Sequence, residues 1–138
     1  MANIIPTAFK TELLSGTHNF ANGGNSFKLA LYTSNPYSAS STAYATTNEV
    51  SSSGTSYPAG GQALDSQAVA ATSTTGHVDF ADETFASVTL TAAFAAIYND
   101  TNSDKLCLVL DFGGNKTATN GDFVVQFPTA NASDAIIR

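Results

Sequence analysis

Lys105-Leu106-Cys107-Leu108-Val109-Leu110 is an unbroken apolar run, and fifteen or so residues later Phe123, Val125 and Phe127 alternate with Asp122, Val124 and Gln126. The first pattern, extended to Phe112, is that of a strand covered on both faces in the middle of a sheet. The second is that of a strand with one face buried, ended by Pro128. Between them, Gly113-Gly114 and Asn120-Gly121 read as turn chemistry. Working outward, the same period of two recurs. Phe27, Leu29 and Leu31 share one face of Phe27 to Tyr32. Gly76 to Phe80 and Ser87 to Thr91 alternate, Phe94 to Tyr98 is a strand lined with alanine, and Ala68 to Thr72 is a weaker strand. Ala135 to Arg138 reads as a final short strand, and Asp100 to Asp104 as an Asx-rich turn.

Only Pro6 to Ser15 favours a helix. Pro6 suits the first helical position, Gly16 the left-handed stop, and Phe9 with Leu13 and Leu14 forms a short apolar stripe. So short a helix must dock on something to persist. Residues 33–63 form a long polar segment in which Tyr44 to Val50 is a candidate strand, interrupted further on by Gly54, Pro58 and Gly60-Gly61. The expected architecture is one all-β domain over residues 1–138, a β-sandwich or jelly-roll-like fold with a short N-terminal helix. A chain of 138 residues can bury roughly two-thirds of its unfolded surface, enough for one core.

Composition narrows the function. The net charge is −6, yet only 12% of residues are charged, and polarity comes from Ser, Thr and Asn. Five Lys and Arg cannot line a phosphate-tracking groove, so nucleic acid is not an expected partner. No basic amphipathic segment points to a membrane surface, and no apolar stretch approaches the ~20 residues of a membrane span. Met1 to Pro6 lacks the charged and apolar regions of a signal peptide. The single cysteine, Cys107, excludes an internal disulfide and a four-cysteine zinc site; inside its apolar run it reads as a core thiol, in a compartment that does not call for disulfides.

A catalytic or metal-binding set is not expected. His18 and His77 are too few for a histidine-rich site, and His77 with Asp79 reads as a pair of outward residues opposite Val78 and Phe80. No Gly-x-Ser-x-Gly occurs. Asp82 and Glu83 are adjacent, so a strand would point them to opposite sides rather than at one sugar-sized cleft. Asp100-x-Asn102-x-Asp104 starts like a calcium loop, but Lys105 and Asp111 stand where that loop needs Gly and Glu. Gly113 to Thr117 lacks the upstream glycine of a phosphate loop, and the sequons at Asn99, Asn115 and Asn131 read as chance matches in so Asn- and Thr-rich a chain. No cofactor is implied.

The surface is the expected seat of function. Tyr37, Tyr44 and Tyr57 in the polar segment offer large contact area at low entropic cost. Asn3, Ile4 and Ile5, with Phe9 just behind them, make residues 1–6 a candidate docking arm, on a neighbouring subunit or folded back on its own.

Phe9-Lys10-x-Glu12-Leu13-Leu14-x-Gly16, Leu29 to Thr33, Thr46 to Val50, Ala96-Ile97-Tyr98-Asn99, Leu110 to Thr117, Asn120 to Phe123 and Ala135 to Arg138 follow one another as landmarks. In that order they resemble a family of small virion structural proteins of tailed bacteriophages. The likeness spans nearly the whole chain. Family members often carry an Arg-Gly pair before the Ile-Tyr-Asn landmark; here Ala93-Phe94-Ala95 stands there, so no contact of that arginine carries over. The resemblance implies a many-copy particle component without catalytic residues. The favoured role is a capsid decoration, or cement, protein on the capsid exterior, made in the host cytoplasm, contacting the major capsid protein or other virion proteins and forming a homo-oligomer, with a trimer favoured. The alternatives are a head-tail connector, neck or tail protein, or a receptor- or glycan-binding β-sandwich module.

Overall fold

The computed structural model describes residues 3–138. The chain is mostly β, with one short helix and two sheets. Helix α1 (Thr7–Leu14) is followed by β1 (Phe27–Tyr32), β2 (Gln62–Ala63), β3 (Ala68–Thr72), β4 (Thr75–Asp79), β5 (Glu83–Asn99) and β6 (Lys105–Val125). One sheet has the order β2-β1-β5-β6, and β3 and β4 form a separate two-stranded sheet; every pairing is antiparallel.

The dominant element is the β5–β6 hairpin. The sequence suggested separate strands at 87–91, 94–98, 106–112 and 123–127; instead two long strands run straight through, joined by the turn at 100–104. The glycines read as a connection are bulges within β6. Between the pairs Ala92↔Lys116 and Phe94↔Asp111, β5 has only Ala93 while β6 carries residues 112–115. Gly113 (φ 76°) and Gly114 (φ 135°) supply the backbone angles this excursion requires. A second irregularity, opposite Val88 to Leu90, coincides with Asn120 at φ 48°. A third lies at Cys107, which is passed over between Ile97↔Leu108 and Tyr98↔Leu106.

Burial of Leu106 to Leu110 on both faces is as the run suggests, but β6 is the last strand of its sheet, not a central one. Its open edge is closed locally by two other segments. Ile4 exchanges backbone hydrogen bonds with Val109, and the Leu106 amide donates to the Thr42 carbonyl. The edge of β1 is completed the same way: β2 covers Lys28 and Leu29, Val50 donates to the Leu31 carbonyl, and the Leu31 amide donates to the Tyr57 hydroxyl.

The larger core gathers Phe27, Leu29, Leu31, Ile97 and Leu108 from one sheet face, Phe85, Leu90, Phe123 and Val125 from the far half of the hairpin, and Val78 and Phe80 from β4 and just beyond it. Phe20 stacks on Phe27 with ring centroids 4.3 Å apart. A smaller cluster fills the opposite face with Ala30, Tyr32, Ala96, Tyr98, Leu106 and Val109, covered by Ile4, Tyr37, Tyr44 and Ala45. The segment 33–63 thus covers that face with Tyr37, Tyr44 and Ala45, while its Val50 and Tyr57 enter the larger core.

Helix α1 falls inside the expected range, with Pro6 at its N-cap rather than its first turn, and Gly16 (φ 77°) beyond its end. Of the expected stripe only Phe9 is buried; Leu13 is 41% and Leu14 90% exposed. Phe9 and Glu12, three apart, face inward, and Glu12 bonds both His18 and Lys105. The C-terminal segment meets β4 through one bridge, Val78↔Ile137, instead of a full strand.

Gly61 (φ 80°) fixes where the segment 33–63 rejoins the sheet: a Cβ there would overlap the Leu29 carbonyl of β1. Gly61→Ala should therefore lower stability by on the order of 3 kcal/mol in a denaturant titration, from strain and overpacking together. An unchanged midpoint would mean that β2 docks with more slack than this close approach allows.

Candidate functional site

All five tyrosines of the chain meet in one region, and a single carboxylate organises it. Glu49 is positioned by the Tyr32↔Glu49 bridge to the end of β1. Its Oε2 accepts from the Tyr44 hydroxyl at 2.5 Å, and its Oε1 accepts from the Tyr57 hydroxyl at 2.8 Å and the Gly60 amide at 2.7 Å. Tyr57 in turn accepts from the Leu31 amide at 2.9 Å. The Tyr98 hydroxyl donates to the Gly60 carbonyl at 2.6 Å, and its ring stacks on Tyr44 with centroids 4.6 Å apart. Tyr32 and Tyr37 bond each other at 2.6 Å, and Tyr32 donates to the Ala45 carbonyl at 2.8 Å. Burial raises every one of these phenols above the ordinary tyrosine value, and the Glu49 charge adds to the rise.

This corrects the expected role of the tyrosines. Tyr37 and Tyr57 are 7% and 2% exposed, and Tyr44 is half-buried. Their rings and hydroxyls are used within the chain and are not free as surface anchors. Phe9 is likewise buried, against His18 and Phe20. In the expected arm, Ile4 is spent on Val109 of the same chain, and residues 1 and 2 lie outside the described residues. Of the seven expected contact residues, Asn3 and Ile5 remain exposed. Ile5, at 40%, borders a groove of about 840 Å³ that also exposes Val124 and is lined by Phe112, Phe127, Ile136 and Lys116. The groove lies between the N-terminal arm, the outer part of β6 and the C-terminal segment.

The other polar cluster is closed. His18 Nδ1 accepts from the Asn99 side-chain amide at 3.0 Å, so Nε2 carries the proton and donates to Glu12 at 2.9 Å. Lys105 reaches the other Glu12 oxygen at 2.7 Å. Burial works to raise the Glu12 carboxyl, but hydrogen bonds from Lys105 and His18 outweigh it and hold the group below its ordinary value. Cys107 lies 3.8 Å from His18 Nδ1, fully buried, and burial pushes its thiol up, away from a reactive thiolate. The cluster ties α1, the segment after it and the hairpin turn together.

His77 departs from expectation. It is buried rather than outward, with Nε2 3.1 Å from the Thr72 hydroxyl and Nδ1 without a partner. Asp79 on the same strand is half-buried. Among the described residues no three His, Cys, Asp or Glu side chains are grouped to hold a metal ion. The turn at 100–104 is held by Asn99 Oδ1, which accepts from the Thr101 and Asn102 amides, while Asp100 pairs with Lys28 at 3.0 Å. Compared with protein-family models, curated proteins and solved structures, the chain matches none.

Sequence reasoning missed Glu49. Its only local signal was a carboxylate inside an otherwise uncharged, tyrosine-bearing stretch, and its three donors come from positions 44, 57 and 60. Glu49→Ala leaves those donors unsatisfied, at about 1–3 kcal/mol for each buried group. Limited proteolysis should then cleave within 33–63 well before the wild type is cut; equal cleavage rates would show that the carboxylate does not hold the segment.

The tyrosines give a pH test. Phenols raised in the fold stay protonated while the unfolded chain ionises near pH 10, so their stabilising contribution is intact below that pH and lost above it. Tyrosinate absorbance should appear in one step coincident with unfolding on the alkaline side. Ionisation of several tyrosines in a folded protein would contradict the buried network.

Proposed function

We propose that this chain is a non-enzymatic structural protein of a tailed-phage particle, most specifically a decoration protein that cements neighbouring capsid subunits on the outer shell. The ordered series of landmarks from Phe9 to Arg138 carries this reading. What supports it in the fold is the disposition of polar and apolar groups. The tyrosines and histidines are engaged within the chain, while a groove of mixed lining, in which Ile5 and Val124 stand exposed beside Lys116, Asp122, Asp134 and Arg138, is left at the surface. Cementing needs contact area, about 1,000 Å² in total for a lasting interface, and repetition over a shell multiplies weak contacts. The groove replaces the tyrosines as the contact surface of this reading, with the shell protein as its partner and three copies around a threefold position. Val78 and Phe80 join the small sheet to the core of the large one, which favours a compact sandwich as the finer description of the fold.

Cryo-microscopy of purified particles tests the reading directly. The expected result is density for this chain at many positions on the capsid exterior. Density confined to the neck or tail would replace the cement role by a connector or tail role, and absence from particles would end the virion reading. Val124→Asp, on an exposed position of the groove, should reduce occupancy on particles without changing the unfolding midpoint.

A further inference from the structure

The chain has two kinds of open sheet edge, and they are treated differently. Beyond Asp111, the outer edge of β6 is broken by the bulge at 112–115 and by Asn120, and it carries Lys116 and Asp122. Bulges and charges are the usual guards against strand addition. Strand β2, on the opposite edge, is two residues long. Strand β3 has none of these guards. All five of its residues, Ala68-Val69-Ala70-Ala71-Thr72, are exposed, with Val69 at 58%. Its register with β4 is continuous from Ala68↔Asp79 to Thr72↔Thr75, without a bulge. From Ser66 to Val78 there is no Asp, Glu, Lys, Arg or Pro.

The direction of its free backbone groups follows from its partner. The Val78 amide donates to the Ile137 carbonyl, away from β3, so Val69↔Val78 is a non-hydrogen-bonded pair. By alternation, Val69 and Ala71 turn their N–H and C=O groups outward. Outside the β3–β4 ladder, no backbone hydrogen bond from 68–72 is present among the described residues.

We propose that β3 pairs with β3 of a second copy of the chain, antiparallel about a two-fold axis at Ala70. In that register Val69 and Ala71 each exchange backbone hydrogen bonds with Ala71 and Val69 of the second copy. Ala70 faces Ala70 of the second copy, and the two hairpins merge into one continuous sheet. Two observations favour a second copy over a foreign strand. The stretch is compatible with itself in this register, setting Ala68 against Thr72 and Val69 against Ala71 with small side chains and no charge on either strand. Each copy also carries a net charge of −6, so most surfaces repel their own kind, whereas the 66–78 hairpin is uncharged apart from the titratable but buried His77. The inference does not rest on the particle reading; it concerns a pairwise contact of the free chain, additional to any threefold arrangement.

Two variants test it. The Ala71 amide points outward, so Ala71→Pro removes a donor to the second copy and leaves the β3–β4 ladder intact. Light scattering over a concentration series should show wild-type mass doubling with concentration, and the proline variant should need at least about tenfold more protein to reach the same point. The second variant reads the register. Cross-strand Cβ atoms in a non-hydrogen-bonded pair lie about 4.5–5.5 Å apart, close enough for a disulfide after small adjustment. Under mild oxidation Ala70→Cys should give disulfide-linked dimers at least about tenfold faster than Ala68→Cys, with the buried Cys107 contributing to neither. A wild type that keeps the mass of one chain at every concentration, or equal crosslinking of the two cysteine variants, overturns the proposal.

Discussion

The Glu49 carboxylate accepts hydrogen bonds from Tyr44, Tyr57 and the Gly60 amide, and the second face of the large sheet depends on it. That face presents Tyr32, Tyr98, Leu106 and Val109, which no second sheet covers. The segment 33–63 covers them, although it contains hardly any regular strand and few aliphatic side chains of its own. A polar segment becomes a lid when its hydrogen-bonding groups find partners inside the chain, because an unmet buried donor costs more than a made bond gains. Glu49 supplies an acceptor with two oxygens, fixed at the end of β1 and reached by donors from both sides. Tyr57 extends the link to the β1 edge by accepting from Leu31.

The long hairpin sets the frame in which this happens. Its near half, Phe94 to Asn99 with Lys105 to Asp111, lies in the four-stranded sheet, and the strands of its far half pair with each other, with the Thr89 amide donating to the Thr55 carbonyl. Bulges at 112–115, near Asn120 and at Cys107 let one pair of strands serve both regions and bring Phe85, Leu90, Phe123 and Val125 into the same core as Phe27 and Leu29. The same irregularities blunt the outer edge of β6. Strand β3, by contrast, keeps a regular, uncharged edge.

Several strands were legible because their information is local. Phe27 to Tyr32 shows its buried face within six residues, and strands also form at Ala68 to Thr72 and over most of Gly76 to Phe80, although in the latter His77 is buried against the reading of its alternation. The helix was legible from Pro6 and Gly16 for the same reason. The hairpin was not, because glycine or asparagine at positive φ serves a turn and a bulge equally well. Nothing near Gly113 or Asn120 says whether the partner strand stops or continues. Leu13 and Leu14 continued the apolar stripe of Phe9, but the helix presents Phe9 and Glu12 to the fold because Lys105 and His18 await the carboxylate.

The expected contact residues divide along the same line. A tyrosine in a polar stretch reads alike whether it lies on a surface or beneath a lid, since the ring suits either and only the hydroxyl's partner distinguishes them. By itself the sequence determined the all-β character, the single short helix, the buried place of Cys107 and the scarcity of charge. These follow from composition and from the period of apolar residues. The tertiary structure decided that Tyr37, Tyr44 and Tyr57 turn into the chain, that Ile4 closes its own sheet, and that Ile5, Val124 and strand β3 stay exposed. Each of those outcomes depends on hydrogen-bond partners distant in the chain or on an edge left uncovered by another segment, and the period of residues along the chain does not encode either.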